Sequence, residues 1–411
     1  MQPTVPQHVA SFRSHRVARG IALGLTGLLA FAASGAVAAY VDLRSQIGVS
    51  DVDSLLGEDR DRPPAVAADQ DPTDPFAGKA RNILVMGTDL RDDANAELAG
   101  AGDEFHSDTT VLVHLSGNRK RAEVVSIPRD SLVDIPECPR SDDSVSPAQS
   151  GAMFNTSFTL GGGPDRDITG AAACTIRTVE ALTGLRVTDH MVVEMAGVID
   201  VVDAIGGVPM CLPEPVHGDR VDLDLKAGRH TLDGYESINF LRARKGTGMG
   251  LEIGSDLERI KRQQAFLDST MREIISQNII TDSPRLYRMV SAILGSISTS
   301  PELADPRALA GLAWSVRNID PNRIVFTSVP VAEAPSDPNR VVWTSEADAI
   351  WKRLIADKAP PGSAPSKGSG SRRPSDTPTG TTDEPTGTSS DKPARSPEPS
   401  PSPSLLPGVC G

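Results

Sequence analysis

The sequence has few aromatic residues, few cysteines and a shortage of positive charge, and each shortage excludes a class of function. Phe, Trp and Tyr make up 4% of the 411 residues, too few for a platform on which single-stranded nucleic acid stacks its bases. The formal net charge is −13, which disfavours binding to a nucleic-acid duplex, so we expect no nucleic-acid partner. Four cysteines are too few for a disulfide-rich scaffold.

The sequence also lacks the short motifs that mark nucleotide-binding sites, metal-binding sites and catalytic nucleophiles. The sequence has no P-loop, no GxSxG, no HExxH and no CxxC, and its seven histidines show no metal-binding spacing. The Gly161-Gly162-Gly163 run lacks the preceding strand and following helix of a dinucleotide-binding loop, so it is weak evidence for phosphate binding. Any chemistry must therefore come from other groups of residues.

An uncharged segment near the N-terminus predicts a membrane anchor. Residues 20–41 carry no charge, and these 22 residues would form a helix about 33 Å long, enough to cross a bilayer core. The alternative is a cleaved signal peptide, because AASGAVAAY resembles a signal-peptidase site, but the apolar run is longer than such peptides use. Three arginines precede the span and no acidic residue comes before Asp42, so we expect residues 1–19 in the cytoplasm and the remainder outside.

This topology narrows the function and suggests the domain limits. A domain outside the membrane has no access to cytosolic ATP or NAD, but it can form disulfides. Residues 42–76, rich in Asp, Pro and Ala, are predicted to be an extracytoplasmic linker, and residues 77–355 a single folded domain. Residues 356–411, rich in Ser, Thr, Pro and Gly, are predicted to be a disordered tail.

Short apolar runs alternate with helical patterns along the domain, which predicts an α/β class with helices layered on a sheet. The run that ends at Gly87 is typical of a buried strand. Ser255, with Glu258 three residues later, predicts the start of a long helix. The predicted strands are 82–86, 109–115, 122–127, 190–195 and 323–331, and the predicted helices are 167–184, 197–205, 232–242, 255–276, 284–296 and 303–318.

Two acidic residues lie at the ends of consecutive predicted strands. Asp89 closes the strand that ends in Gly87-Thr88, and Asp108 opens the next one. If the two strands are neighbours, both carboxylates lie on one rim of the sheet, where hard oxygen ligands beside a phosphate suit Mg²⁺. The alternative is that Asp89 is a turn residue and Asp108 a cap.

Arginines occur in the sequence at positions that suit an anionic ligand. Guanidinium groups bind phosphate oxygens in a bidentate manner and stay charged when partly buried. The alternative is a set of surface ion pairs, such as Arg129 with Asp130. The candidate set comprises Arg129 after a predicted strand, Arg242 and Arg244 at a helix end, and Asp256, Arg259 and Gln263 on one face of the next helix.

The cysteines are informative because the predicted compartment is oxidising. We expect Cys138 to pair with Cys174, which would fix the long loop that follows Asp130 to a helix. A second pair, Cys211 with Cys410, would bring the end of the tail back to the domain. Three pairings are open in all, and free or intermolecular thiols are the alternative for the second pair.

In their order along the chain, a series of short motifs resembles those of the LytR-CpsA-Psr family. The resemblance covers roughly residues 80–275. Each motif is weak alone, whereas their shared order behind a single membrane span is specific, and the Pro-rich tail resembles that of actinobacterial members. The motifs are Asn82–Asp89, Ser107–Thr109, Ser126–Asp130, Phe154-Asn155, Gly161–Gly163, Asp203–Val208, Leu232–Gly234, Arg242–Arg244, Asp256–Arg259 and Arg262–Gln264.

The resemblance implies an α/β/α sandwich with a central mixed sheet, a deep apolar groove for a lipid, and an extracytoplasmic phosphotransferase. Such an enzyme moves a glycopolymer from a polyprenyl-pyrophosphate carrier to peptidoglycan and forms a phosphodiester bond during cell-wall assembly. By motif position, Asp89 and Asp108 would bind Mg²⁺, with Mn²⁺ as an alternative, and Asp256 would orient the arginines or assist the incoming hydroxyl. Arg129, Arg242, Arg244, Arg259 and Gln263 would hold the pyrophosphate, with Arg129, Asp256 and Arg259 as the catalytic residues.

Two positions depart from the family pattern. Many members have Arg at the position of His106 and Lys at the position of Met153. His106 can still contact phosphate, but its charge varies with pH.

Two questions stay open in the sequence. A non-catalytic polyprenyl-phosphate carrier or sensor, or a pyrophosphate hydrolase, is the alternative to a transferase. The apolar faces of the predicted helices 167–184, 197–205 and 255–276 either line the lipid groove or form ordinary core.

Overall fold

Strands and helices alternate along the computed structural model, which describes residues 11–57, 62–64, 78–88, 105–276, 283–317, 319–320 and 323–361. Each strand and helix predicted above is confirmed, with ends that differ by at most three residues. The strands are β1 (Gly48–Val49), β2 (Arg81–Thr88), β3 (Ser107–Leu115), β4 (Ala122–Ile127), β5 (Leu132–Ile135), β6 (Cys138–Pro139), β7 (Val145–Ser146), β8 (Gln149–Met153), β9 (Asp189–Glu194), β10 (Val208–Leu212), β11 (Val216–Gly218), β12 (Asp224–Leu225), β13 (Gly228–Leu232), β14 (Gly246–Thr247), β15 (Ile297–Thr299), β16 (Ile324–Ser328), β17 (Val331–Ala334) and β18 (Asp337–Trp343). The helices are α1 (Ser11–Gln46), α2 (Asp53–Leu56), α3 (Thr156–Gly162), α4 (Ile168–Thr183), α5 (Met195–Ile205), α6 (Gly234–Arg242), α7 (Asp256–Ser276), α8 (Ser283–Gly295), α9 (Pro306–Val316) and α10 (Ser345–Ile355).

The central sheet is mixed, as predicted. Within the described residues its seven strands follow the order β1-β15-β9-β2-β3-β4-β16. β2 and β4 are both antiparallel to β3, whereas β9 runs parallel to β2 and β16 parallel to β4. Because β3 begins where β2 and β4 end, Ser107 pairs with Thr88, and Thr110 pairs with Ile127. This end of the three strands, called the site edge below, carries Asp108 in β3 and Arg129 just after β4.

Helices cover both faces of the sheet, so the predicted α/β/α sandwich is confirmed. Alternate side chains of a strand point to opposite faces. Leu84 and Leu112 point into a core that Ile176 of α4 and Trp351 of α10 complete. Ile83, one residue earlier than Leu84, belongs to a cluster on the opposite face that includes Leu312 of α9. Residues after 285 therefore complete the sandwich, as expected.

Part of the segment predicted as a linker packs into the domain instead. Gly48 of β1 is the register partner of Ser298 in β15, at the edge of the central sheet. Val52 and Leu56, four residues apart, are only 4% and 3% exposed in the core beneath α4. The Asp- and Pro-rich composition of residues 42–76 obscures these two apolar contacts. A fragment that begins at residue 77 would lack this edge strand.

The N-terminal helix α1 extends beyond the uncharged run and contacts the domain. Its residues Ala22–Gln46 are long and apolar enough to cross a membrane. Near its end, Tyr40 Oη and Arg44 Nη1 each donate to Asp305 Oδ2, both at 3.1 Å. Asp305 is the N-cap of α9, so the anchor helix is attached to the start of that helix.

The Cys138–Cys174 disulfide is confirmed. The two sulfur atoms are bonded and the Cα atoms lie 5.2 Å apart. The bridge joins the loop strand β6 to α4, as expected. Cys410 lies outside the described residues, so its pairing with Cys211 stays a prediction.

The Gly161–Gly163 run serves helix packing. A Cβ atom on Gly161 would lie 2.1 Å from the carbonyl oxygen of Gly170 in α4. Only glycine allows α3 and α4 to approach so closely. This contact explains the run without a phosphate ligand.

His190 is a buried base inside this framework. It lies in β9 with 1% exposure, and its Nε2 finds no hydrogen-bond partner among the described residues. Burial lowers the pKa of His190 from 6.5 to about 4, although the nearby Asp51 opposes the shift. The folded protein therefore holds this imidazole neutral at pH values at which the unfolded chain protonates it.

We predict that this histidine makes the fold less stable in mild acid. Between pH 6.5 and about 4 the unfolded chain binds a proton that the folded chain excludes, so the free energy of unfolding falls by about 1.4 kcal/mol for each pH unit as the pH decreases. Denaturant unfolding of the full chain in detergent at pH 7 and pH 5 measures this loss. The His190→Asn variant should show a smaller loss. An equal loss in both proteins would contradict the prediction.

Candidate active site

A β-bulge places Asp108 at the site edge. Gly87 pairs with Thr109, but the next residue, Thr88, pairs with Ser107, so Asp108 is the extra residue of the bulge. In a regular strand Asp108 and Thr109 would point to opposite faces. Here both line the same cavity, as expected where a bulge redirects a side chain. The sequence predicts the strand from Thr109 onward but gives no sign of the bulge.

Three arginines from distant segments converge on Asp108. Its Oδ1 accepts a hydrogen bond from Arg129 Nη1 at 2.6 Å, and its Oδ2 accepts one from Arg244 Nη2. Arg259 Nη2 donates to the main-chain oxygen of Asp108 at 2.9 Å, and Arg259 Nη1 lies 3.9 Å from Oδ2. Arg129 follows β4, Arg244 follows α6 and Arg259 lies in α7. One carboxylate therefore joins segments up to 151 positions apart.

Asp256, at the start of α7, forms a second junction. It accepts a hydrogen bond from the main-chain N–H of Arg129 at 3.2 Å and another from the side chain of Arg259. Arg129 Nε lies 3.6 Å from Asp256 Oδ1 and 3.6 Å from Asp130 Oδ2. Arg340 of β18 donates to the other oxygen of Asp130 at 3.2 Å. Arg129 is therefore held from three sides.

The two carboxylates at these junctions have opposite pKa shifts. Burial alone would raise the pKa of Asp108, but the guanidinium groups of Arg129, Arg244 and Arg259 lower it below the ordinary value. At Asp256, burial outweighs the attraction of Arg259 and Arg129, and the pKa is raised. Asp108 is therefore firmly ionised, which suits a cation ligand, whereas Asp256 is the less acidic of the two.

Arg262 fixes the loop that carries Arg244, a role that the sequence analysis missed. It is 3% exposed and donates to the carbonyl oxygens of Ala243 and Met249. Burial lowers the pKa of Arg262 to about 10, so it stays charged at neutral pH. Gly248 in this loop has φ +85°, and a Cβ there would lie 2.0 Å from a backbone oxygen of the facing segment. The position of Arg262 three residues after Arg259, on the adjoining side of the helix, is the sequence signal for this role.

Gln263 and Arg242 both line the cavity beside Asp108. Gln263 Nε2 donates to Thr109 Oγ1 at 3.0 Å. The structure therefore brings Arg244, Arg259 and these two residues to the wall of one cavity.

The other two candidate residues, His106 and Asp89, are not among the cavity-lining residues that the structure describes. His106 Nδ1 lies 2.7 Å from Thr159 Oγ1 in α3, and His106 is absent from the described residues that line the cavity. Asp89 lies outside the described residues. Its chain neighbour Thr88 is the partner of Ser107, which precedes Asp108.

A single cavity of about 1230 Å³ extends from the arginines along one face of the sheet. Its charged end includes Asp108, Arg242, Arg244 and Arg259. Further along, the walls are apolar and come from the sheet and from α6 to α9. These apolar residues include Val85, Val111, Val113, Val124, Phe326, Ile238, Leu241, Phe266, Met271, Met289 and Val316.

Two of the three helices considered for a groove line this cavity. Val198 of α5 and Phe266, Leu267 and Met271 of α7 are on its wall. Ile176 of α4 is instead 1% exposed in the core on the opposite face of the sheet. That helix is ordinary core.

The donor set at the site edge suits a cation that is shared with a phosphate ligand. Among the described residues no group of three His, Cys, Asp or Glu side chains would hold a metal ion alone. Mg²⁺ typically takes one or two carboxylates together with phosphate oxygens and waters. Asp108, which is ionised and lies at the charged end of the cavity, is one such carboxylate.

We predict that Arg262→Gln weakens anion binding without touching the anion. Loss of the two loop contacts frees Arg244 to move, and binding of inorganic pyrophosphate should weaken by about tenfold, or ~1.4 kcal/mol. Isothermal titration calorimetry of the full chain in detergent measures this. Lys261→Gln on the same helix is the control, because Lys261 is exposed and pairs with Glu258. An equal effect of both variants would indicate loss of charge alone and contradict the role.

Comparison with known proteins gives relatives that are named for cell-wall biosynthesis. The chain is 30% identical over 257 residues to the probable cell wall biosynthesis protein LcpB of Corynebacterium glutamicum, across 61% of this chain and 54% of the relative. It is 31% identical over 202 residues to the polyisoprenyl-teichoic acid–peptidoglycan teichoic acid transferase TagU of Oceanobacillus iheyensis, across 49% of this chain and 54% of the relative. The chain spans about half the length of these curated relatives.

The fold and the family agree with these relatives. The crystal structure of protein gbs0355 from Streptococcus agalactiae matches with a TM-score of 0.51 and 21% identity, across 68% of this chain and 88% of that protein. The LytR_cpsA_psr family model matches residues 55–356, which include β2 to α10, all of the junctions at Asp108 and Asp256, and most of the chain. The chain therefore belongs to the LytR_cpsA_psr family.

Proposed function

We propose that this protein is a membrane-anchored extracytoplasmic phosphotransferase. It takes a glycopolymer from a polyprenyl-pyrophosphate carrier and joins it to peptidoglycan through a phosphodiester bond. One observation carries the proposal: a single cavity has arginines at one end and apolar walls along the rest. A lipid pyrophosphate has two matching parts: a doubly charged head group, which suits the arginines, and a long hydrocarbon chain, which suits the apolar walls.

The size and lining of the cavity support a lipid occupant. Its volume of about 1230 Å³ exceeds the roughly 300–1,000 Å³ of ordinary small-molecule sites. The walls from the sheet and from α7 present branched aliphatic side chains, and Met271 and Met289 add flexible ones. A hydrated sugar makes no favourable contact with apolar walls. An isoprenoid chain removes their surface from water, which is favourable.

The arginines suit the chemistry of a pyrophosphate donor. The acceptor hydroxyl oxygen attacks the phosphorus that bears the glycopolymer, and the bond from that phosphorus to the bridging oxygen breaks. Polyprenyl phosphate leaves with the electron pair, and the hydroxyl proton passes to a base or to water. Arg129, Arg244 and Arg259 stabilise the negative charge that grows on the leaving phosphate.

The acidic residues hold this machinery in place. Asp256 binds both Arg129 and Arg259, so its role is to orient them toward the phosphates. Asp108, together with the predicted ligand Asp89, would hold Mg²⁺, which supplies positive charge to the pyrophosphate oxygens when bound. Phosphate oxygens then replace Asp108 as the partners of Arg129 and Arg244.

The location outside the cell is supported by three features. The apolar helix α1 is long enough for a single span, and the arginines before it favour a cytoplasmic N-terminus. The Cys138–Cys174 disulfide suits an oxidising compartment. A pyrophosphate donor is activated before it arrives, so no cytosolic nucleotide is needed there.

We predict that Asp108→Asn and Arg259→Gln each lower turnover by at least about 10²-fold, because each removes a contact made at the reacting phosphates. The assay follows phosphate release from polyprenyl pyrophosphate by the full chain with Mg²⁺, and removal of Mg²⁺ by a chelator should also stop it. Matched controls are Asp268→Asn and Arg272→Gln, an ion pair with a 2.9 Å contact on the same helix in which Arg272 is exposed. These two variants should retain full turnover.

The other outcomes separate the alternatives. Tight binding of the lipid with no release by the parent protein, even with peptidoglycan present, would favour a non-catalytic carrier. Release that peptidoglycan does not alter would favour a hydrolase. Equal turnover in the site variants and in the controls would contradict the assigned roles.

A further inference from the structure

Helix α9 and its C-cap residue, Arg317, carry an exposed stripe of one tryptophan and two arginines. Trp314 is 66% exposed, and the guanidinium of Arg317 lies 3.7 Å above the centre of its ring. Arg307, seven residues before Trp314, lies on the same side of the helix. Leu312, on the other side, is buried against the sheet. The stripe is therefore not needed for the core of the domain.

The stripe begins beside the membrane anchor. The guanidinium of Arg307 stacks on the ring of Tyr40 at 4.5 Å, and Tyr40 is the penultimate residue of the uncharged run. Where α1 leaves a bilayer, Tyr40 lies at the height of the lipid headgroups, and so does Arg307. Trp314 is about 10 Å further along α9, at ~1.5 Å per residue.

The composition of the stripe suits lipid headgroups. α9 carries no acidic residue from Pro306 to Val316, and Arg307 and Arg317 bracket Trp314. Tryptophan is enriched at membrane interfaces, where its apolar ring enters the acyl boundary and its N–H stays hydrated. Arginine extends its charge to lipid phosphates from beside such a ring.

The segment that carries the stripe also lines the cavity. Ala313, Val316 and Arg317 of this segment line it, together with Ile319. A chain that enters the cavity from a bilayer under α9 reaches the apolar walls without crossing water.

We propose that the Arg307–Trp314–Arg317 stripe is a second membrane contact of the domain, seated in the headgroup layer of the bilayer that α1 spans. The membrane contact is independent of the proposed function. The further idea that a lipid chain enters the cavity beside this contact rests on the proposed function. The occupant is an anionic lipid surface, because the stripe is continuous with the anchor helix and carries only positive charge. A second copy of this acidic chain is the competing occupant.

The tryptophans provide a direct test in the full chain. The sequence has three, and the other two are inside the domain: Trp351 is 2% exposed and lies 5.6 Å from Trp343, which donates to Ser131 at 3.1 Å. In vesicles of brominated phosphatidylglycerol, bromine should quench part of the emission of the parent protein. That part should be missing in Trp314→Phe and retained in Trp343→Phe.

Three results would overturn the contact. Emission of the parent protein that bromine leaves unchanged would show that Trp314 is in water. Quenching that persists in Trp314→Phe would show that another tryptophan meets the lipid. A dimer in detergent that Trp314→Ala dissociates would show that a second copy covers the stripe.

A separate assay tests the entry path. Trp314→Ala should slow turnover of a long-chain polyprenyl pyrophosphate held in vesicles several-fold, while a short, water-soluble prenyl pyrophosphate is turned over at the parental rate. Equal slowing on both substrates would contradict entry under α9. A parent protein that turns over neither substrate with peptidoglycan present refutes the proposed function, and the bromine experiment still decides the membrane contact.

Discussion

The site depends on one ion-pair junction, the carboxylate of Asp108 among the guanidinium groups of Arg129, Arg244 and Arg259. Like charges brought together at the edge of an apolar cavity repel one another and lose hydration. Asp108, with Asp256 behind it, compensates this positive charge. The same pairing keeps Asp108 ionised.

The apolar cavity is the other main feature of the site, and it results from the different packing of helices on the two faces of the central sheet. On one face, α4 and α10 pack directly on Leu84 and Leu112. On the other face part of the sheet packs in the cluster that includes Ile83 and Leu312, and strand side chains such as Val111 and Val124 line the cavity. Exposed apolar walls of this extent cost stability unless a ligand covers them. The helix α1 contacts Asp305, the N-cap of α9, and α9 contributes to the wall of this cavity.

Local sequence patterns predicted five strands and six helices, because each depends on spacing within a short segment. The disulfide was predicted from the oxidising compartment and the positions of Cys138 and Cys174 along the chain. Helical spacing also placed Arg259 and Gln263 on one face of a helix, and both line the cavity. What the local patterns missed depends on contacts between distant segments. The bulge at Asp108 exists only in the pairing of β2 with β3, and the role of Arg262 exists only because α7 lies against the loop after α6.

The most direct test of the central claim is to identify the product. The full chain is incubated in vesicles with a carrier-linked glycopolymer, Mg²⁺ and peptidoglycan, and a muramidase digest is analysed by mass spectrometry. The account predicts muropeptides that carry the glycan through a phosphodiester, formed by the parent protein and lost with Asp108→Asn. Release of carrier phosphate without any linked muropeptide would contradict it.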